Sequence, residues 1–300
     1  WMLVFSPQGV PRDGMNFQNT FSSVALVGTF DGNKFTPVDN DLSKMQELDH
    51  GSDCYAAAVT SEPKTGRIIL QMWHNIHGSD NYSDSYNGFH AFPREIKIED
   101  DKVHVVPLKE LENLRAQAAV PGHFELAGVH SVKLPEEVAP YKSTELLVNF
   151  KFDPKNKTNQ EFGIKLWCSP EDKDSKQELV LSYDIETSVL TVDRTNAGKP
   201  VSQIAAANFP PGKIEANIRK CKVDIDKENE LNLRLFIDRP SLEIYAGKGS
   251  TMTVRAYPDL DSTGINLFSK GNGKVEARVQ AYELKDVNEN FLNKMTETDV

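Results

Sequence analysis

The sequence predicts an all-β chain whose second half, residues 123–285, folds as a two-sheet β-sandwich. Three observations carry this. Apolar and polar residues alternate over short runs, clusters of Gly, Asn and Asp separate the runs, and one segment alone repeats its leucines at helix-like spacing. In the first half, Trp1-Met-Leu-Val-Phe5, Val24-Ala-Leu-Val27, Arg67-Ile-Ile-Leu-Gln-Met-Trp73, Glu95-Ile-Lys-Ile98 and Lys102-Val-His-Val-Val106 are the strand candidates. Asp31-Gly-Asn33, Lys64-Thr-Gly66 and Asp100-Asp101 are the turns between them. Leu108, Leu111 and Leu114, with charged residues between, predict a linker helix from Leu108 to Ala119 that stops at Val120-Pro121-Gly122.

Beyond it the alternation is cleaner. Leu231, Leu233, Leu235 and Ile237 share a face opposite Asn232, Arg234 and Asp238. Leu242 and Ile244 resume that face after the turn Asp238-Arg-Pro-Ser241, and Val275, Ala277, Val279 and Ala281 repeat it. One apolar face per strand requires a second sheet to cover it, hence a sandwich. The expected division is 1–107, a linker helix over 108–122, the sandwich over 123–287, and a tail over 288–300 with a short helix from Asn288 to Met295.

Composition narrows the function. The 300 residues are 39% hydrophobic and 26% charged with a net charge of −10, so the chain can bury a full core and repels nucleic acid. No apolar run reaches membrane-spanning length. The acidity is uneven: residues 1–150 carry 12 basic and 20 acidic groups, residues 151–300 carry 22 and 24. Three scattered cysteines, Cys54, Cys168 and Cys221, fit a reducing, cytoplasmic setting better than a disulfide framework.

Few segments carry chemistry. His74-Asn-Ile-His77 has a spacing that can ligate metal, but no carboxylate or thiol accompanies it, and no metal or cofactor is expected. Phosphate-binding Gly loops and Gly-x-Ser-x-Gly elbows are absent. The polar loop Gly78–Gly88 is a candidate rim for a site. In Gly51-Ser-Asp-Cys-Tyr-Ala56, strand alternation puts Asp53 and Tyr55 on one face, while Trp73 shares a face with Ile69 and Gln71. A carboxylate, a phenol and an indole near strand ends can line a sugar pocket, the rings covering C–H faces and the polar tips meeting hydroxyls. The alternative is two core aromatics and a turn-capping Asp53.

These segments resemble glycoside hydrolase family 32, the family of invertases, levanases and bacterial sucrose-6-phosphate hydrolases. The resemblance runs in order through Trp1-Met-Leu-Val-Phe-Ser-Pro-Gln-Gly9, Asn16-Phe-Gln-Asn19, Gly28-Thr-Phe-Asp-Gly-Asn-Lys-Phe35 and Asp49-His-Gly-Ser-Asp-Cys-Tyr-Ala56. It continues through Phe92-Pro-Arg-Glu-Ile96, Pro107 to Arg115, Leu233 to Tyr245, Tyr257-Pro258 and Ser262-Thr-Gly-Ile265. Cys54 stands where the family usually has Phe, and Met72 where it tends to have Gly.

The resemblance implies the later blades of a five-bladed β-propeller followed by a β-sandwich, and retaining hydrolysis of terminal β-fructofuranosides such as sucrose or sucrose 6-phosphate. It assigns Tyr55 and Trp73, with Asp53 as a further candidate, to the fructosyl pocket. The family's carboxylates sit in Asn-Asp-Pro-Asn-Gly, Arg-Asp-Pro and Glu-Cys-Pro motifs, none of which occurs here. The last is expected just upstream of Trp1, so no catalytic residue is assigned and the chain alone is expected to be inactive. Two other readings stand beside this one: a non-catalytic carbohydrate-binding or assembly module that self-associates through open strand edges, and, within the family, a levanase or inulinase.

Overall fold

A computed structural model describes residues 1–75, 82, 88–128, 130–139, 143–153, 155, 160–202, 216–225 and 228–285. Among the described residues the strands form four sheets. In the first, Met2–Phe5 pairs with Val24–Phe30, which also pairs with Phe35–Pro37 and Gln46–Glu47. The second is an antiparallel meander of Tyr55–Ser61, Ile68–His74, Arg94–Glu99 and Lys102–Pro107, with Phe89–His90 beside Ile68–His74. These two sheets share a small core in which Ala25, Leu48, Leu70, Met72, Ile96 and Val105 are buried.

The remaining two sheets face each other as a sandwich. One runs through Lys274–Leu284, Thr144–Phe152, Glu230–Asp238, Ser241–Ala246 and Ser250–Arg255. The other runs through His130–Lys133, Gly264–Lys270, Glu161–Cys168, Glu178–Asp184, Val189–Asn196 and Ile218–Lys222. Phe150 of the first meets Phe162 of the second at 4.8 Å between ring centres. The alternating residues Leu231, Leu233, Leu235 and Ile237, and Val275, Ala277, Val279 and Ala281, all lie in this core, as their period of two requires.

The expected linker helix is corrected. Lys109–Leu114 forms a six-residue 3₁₀ helix, and Arg115–Ala118 is already a strand paired with Lys274–Leu284. The physical reason is the leucine spacing itself. A repeat of three with no i+4 partner is the period of a 3₁₀ helix, in which residues i and i+3 eclipse. Leu111 is buried with Phe236, Tyr245 and Leu284, and Leu108 and Leu114 pack beside it. Pro121 does not stop a helix; it precedes the strand Gly122–Ala127, which joins the same sandwich sheet. The tail helix expected over 288–295 lies outside the described residues.

What joins the halves is a buried polar clasp. Ser250–Arg255 is the edge of its sheet, and the segment 49–53 lies along it. His50 N donates to Thr251 O at 2.8 Å and Asp53 N to Thr253 O at 3.1 Å. The edge strand's own donors are met by side chains: Thr253 N reaches Asp49 Oδ1 at 2.9 Å and Arg255 N reaches Asp53 Oδ2 at 3.0 Å. The approach requires Gly51, since a Cβ there would lie 2.1 Å from the Thr253 backbone. The edge of the other sheet is closed in the same manner. Lys220 N donates to Gln18 Oε1 at 3.2 Å, Gln18 Nε2 donates to Lys220 O at 2.7 Å, and the Arg219 guanidinium grips Asn19 Oδ1.

The charges in the clasp balance. Arg94, with no exposed surface, donates to Asp49 Oδ2 at 2.7 Å, Glu243 Oε2 at 2.9 Å and Thr253 Oγ1 at 2.6 Å. Glu243 also accepts from Phe92 N and from the Tyr245 hydroxyl. Asp53 is held between Arg194 and Arg255. Three guanidiniums thus meet three carboxylates out of water.

Removing one member strands its partners as uncompensated buried charges. Arg94→Ala is expected to lower unfolding stability by roughly 3–5 kcal/mol, read as a fall in the urea midpoint. A change indistinguishable from that of an exposed-site control such as Arg12→Ala would contradict the clasp.

Candidate functional site

The aromatic pair proposed from the sequence comes together. Tyr55 and Trp73 are direct cross-strand partners on neighbouring antiparallel strands, so their side chains rise side by side from one face. Both are half-buried. The pairing register breaks between Tyr55 and Ala58, and Ala56 sits at φ 55°, a bulge that turns the start of the strand and re-aims Tyr55.

Each ring has a packing partner that sequence reasoning missed. Phe21 tilts against Tyr55 with ring centres 5.4 Å apart. Gly88, at φ +86°, lies so close to Trp73 that a Cβ would fall 2.2 Å from the indole Nε1. Neither carried a sequence signal: Phe21 stands outside any alternating run, and Gly88 reads only as the end of a polar loop. That loop, 78–88, lies outside the described residues apart from Tyr82 and Gly88.

Asp53 does not join this pair. It precedes the strand, where strict alternation does not apply, and its side chain turns into the clasp with no exposed surface. Burial alone would push its carboxyl up, but the guanidiniums of Arg194 and Arg255 overcome that and hold it well below the usual carboxylate range, aided by Arg255 N and the Ser52 hydroxyl. An aspartate with both oxygens so engaged joins the two halves and offers no atom to a sugar.

His74, the first member of the candidate metal-binding pair, is packed inside the fold. It is fully buried, its Nδ1 lies 3.1 Å from Ser241 Oγ across the domain junction, and its ring packs on Phe89 at 4.5 Å. Its proposed partner His77 lies outside the described residues. Among the described residues there is no group of three or more His, Cys, Asp or Glu able to hold a metal ion. No helix among them is long and apolar enough to cross a membrane. Cys54, Cys168 and Cys221 are free thiols; Cys54 is buried with its sulfur 3.6 Å from that of Met72.

The geometry therefore sets two half-buried aromatic side chains next to each other on one sheet face. An indole and a phenol standing together can cover a sugar's C–H face while their polar tips meet its hydroxyls. Glycosidic cleavage needs two carboxyl groups in addition.

Comparison with known proteins agrees in kind. The family model described as glycosyl hydrolases family 32 N-terminal domain matches residues 1–107, and that described as glycosyl hydrolases family 32 C terminal matches 110–283. A sucrose-6-phosphate hydrolase of Zymomonas mobilis subsp. mobilis is 27% identical over 294 residues, covering 96% of this chain and 51% of its own. That of Staphylococcus xylosus is 29% identical over 288 residues, covering 95% and 52%. Among solved structures, exo-inulinase from Aspergillus awamori superposes with a TM-score of 0.73 at 21% identity, covering 95% of this chain and 54% of that one. Sucrose-6-phosphate hydrolase from Lactobacillus gasseri gives 0.67 at 19% identity, covering 94% and 52%. The chain spans about half the length of the relatives it matches.

Two outcomes follow from the local geometry. Gly88→Ala drives a methyl into the indole, so the near-ultraviolet circular dichroism band of Trp73 should change; an unaltered spectrum would show that the indole is not seated against Gly88. Burial lowers the His74 pKa to about 4 from an ordinary value of 6.5. The unfolded chain therefore binds the proton first, and stability falls as pH drops from 6.5 toward 4, by on the order of 3 kcal/mol for this group alone. Urea midpoints across that range should flatten in His74→Gln, and parallel pH profiles for the two proteins would count against the assignment.

Proposed function

The chain belongs to glycosyl hydrolase family 32, and from that premise we propose that it is the C-terminal part of a retaining β-fructofuranosidase acting on sucrose or sucrose 6-phosphate. The observation that carries the reading is the cross-strand pairing of Tyr55 with Trp73, half-buried on one face and braced by Phe21 and Gly88. Two rings fixed in that manner form the binding wall that a fructosyl unit needs. In this proposal residues 1–107 are blades of a five-bladed propeller and the sandwich is their support.

Retaining hydrolysis uses one carboxylate as nucleophile and a second carboxyl group as acid and then base, about 5–5.5 Å apart. None of the family's carboxylate motifs occurs in the 300 residues. The proposal therefore has this chain contribute binding and support while the reacting carboxyls come from other residues of the enzyme, so that the 300 residues by themselves turn over no sugar. The sucrose-6-phosphate hydrolase relatives favour a small, phosphorylated or free disaccharide over a fructan, against the levanase of Bacillus subtilis, which is also 28% identical but is covered over 39% of its length.

The expected result is no release of glucose or fructose above a buffer blank when the purified chain is incubated with sucrose, sucrose 6-phosphate or levan. Sustained turnover that survives repurification would overturn the proposal. In a longer chain carrying the family's carboxylate motifs, Trp73→Ala is expected to raise KM for sucrose about tenfold or more, the loss of one ring's burial against the sugar.

A further inference from the structure

One well-formed cavity among the described residues lies away from the Tyr55–Trp73 pair. It is a groove of about 770 Å³ on the outer face of the seven-stranded sandwich sheet, bounded on one side by Val105–Pro107 of the first half and on another by Pro121 and Gly122. Its size falls within the range of small-molecule sites. The two places are held apart by one strand. Ser241, at the start of Ser241–Ala246, touches His74 next to Trp73, whereas Tyr245 and Ala246, at the other end, line the groove. At strand rise that is roughly 13 Å between Ser241 and Tyr245.

The floor of the groove has an unusual order. Strand register places His123 opposite Arg278, Arg278 opposite Asn149, and Asn149 opposite Asn232, so four polar side chains form a row across four adjacent strands. Neighbouring strands are about 4.8 Å apart, which makes the row roughly 14 Å long. A second row beside it pairs Gln280 with Leu147 and Leu147 with Arg234.

The amides of the first row are already oriented: Asn149 Nδ2 donates to Asn232 Oδ1 and to Glu230 Oε2, each at 2.8 Å. Asn149 Oδ1 accepts from no described residue. The Arg278 side chain is exposed and has no ion-pair partner among the described residues, whereas Arg234 is already neutralised by Glu145.

We propose that this row is a second, non-catalytic binding site for a neutral oligosaccharide. The chemistry selects that class. The exposed Arg278 guanidinium and His123 imidazole, backed by the two amides, set polar groups along a line that successive hydroxyl groups can meet, and the flanking Pro107, Pro121 and Leu147 give apolar surface for C–H faces. A net charge of −10 works against a polyanion. The site does not depend on the cleavage proposed above, and it places sugar binding on the sandwich.

Calorimetric titration of the 300-residue chain with maltotetraose and with cellotetraose, neither of which carries a fructosyl end for the Tyr55–Trp73 pair, tests it. At least one of the two is expected to bind, with Arg278→Ala weakening it about tenfold, as loss of a charged hydrogen-bond donor should. Leu147→Trp, which fills the groove from its floor, should abolish the heat, and the exposed-site control Arg12→Ala should leave it unchanged. Thermal melts of each variant identify any that fail to fold. The proposal is overturned if neither sugar binds the wild-type chain, or if folded Arg278→Ala and Leu147→Trp bind as wild type does.

Discussion

Two edges of the sandwich face the first half of the chain, and the fold depends on how they are closed. Edge strands expose unpaired donors and acceptors that invite association with other chains. Here Ser250–Arg255 is met by the segment 49–53, and Ile218–Lys222 by Gln18 and Asn19. The first closure uses carboxylates as surrogates for strand carbonyls, which places negative charge where no water can reach. That choice explains the guanidiniums. Arg94, Arg194 and Arg255 are needed because Asp49, Asp53 and Glu243 are buried, and each carboxylate is in turn needed to tolerate an arginine.

The aromatic pair inherits its rigidity from this junction. Trp73 lies in the strand Ile68–His74, whose last residue touches Ser241 of the sandwich. The neighbouring strand, Arg94–Glu99, carries Arg94, at the centre of the clasp. The rings are thus mounted on a sheet anchored at two points to a separate, larger core. In the role proposed for them such support is an advantage, since rings fixed before binding lose less freedom when a ligand arrives.

Much of the fold was legible in the sequence because period-two alternation survives wherever one face of a strand meets a core and the other meets water. It was least informative where that premise failed. In Ser241–Ala246 and Ser250–Arg255 both faces are buried, so the polar residues Ser241, Glu243, Thr251, Thr253 and Arg255 that alternate with apolar ones meet the first half of the chain and not water. The linker was read as an α-helix because a leucine repeat of three was taken as part of a 3.6-residue period. Asp53 was grouped with Tyr55 by extending alternation past the end of the strand. The Tyr55–Trp73 pairing was within reach of motif reading, whereas Phe21 and Gly88 contribute through tertiary contact that no local pattern encodes. The resemblance to the family located the pair; the hydrogen bonds removed Asp53 from it.

The balanced clasp also bears on how such a chain can change over time. Its six charged members are spread from residue 49 to residue 255 and lie on both sides of the 3₁₀ segment at 109–114, where a crossover between two related genes would otherwise be easiest. A recombinant joining one parent's first half to another's sandwich inherits Asp49, Asp53 and Arg94 from one lineage and Arg194, Glu243 and Arg255 from the other. Unless both parents kept the same six, the hybrid carries an unmatched charge in a dry interface. The junction thus couples the two halves: a change of charge at any of the six calls for a matching change across the interface, while exposed positions carry no such requirement.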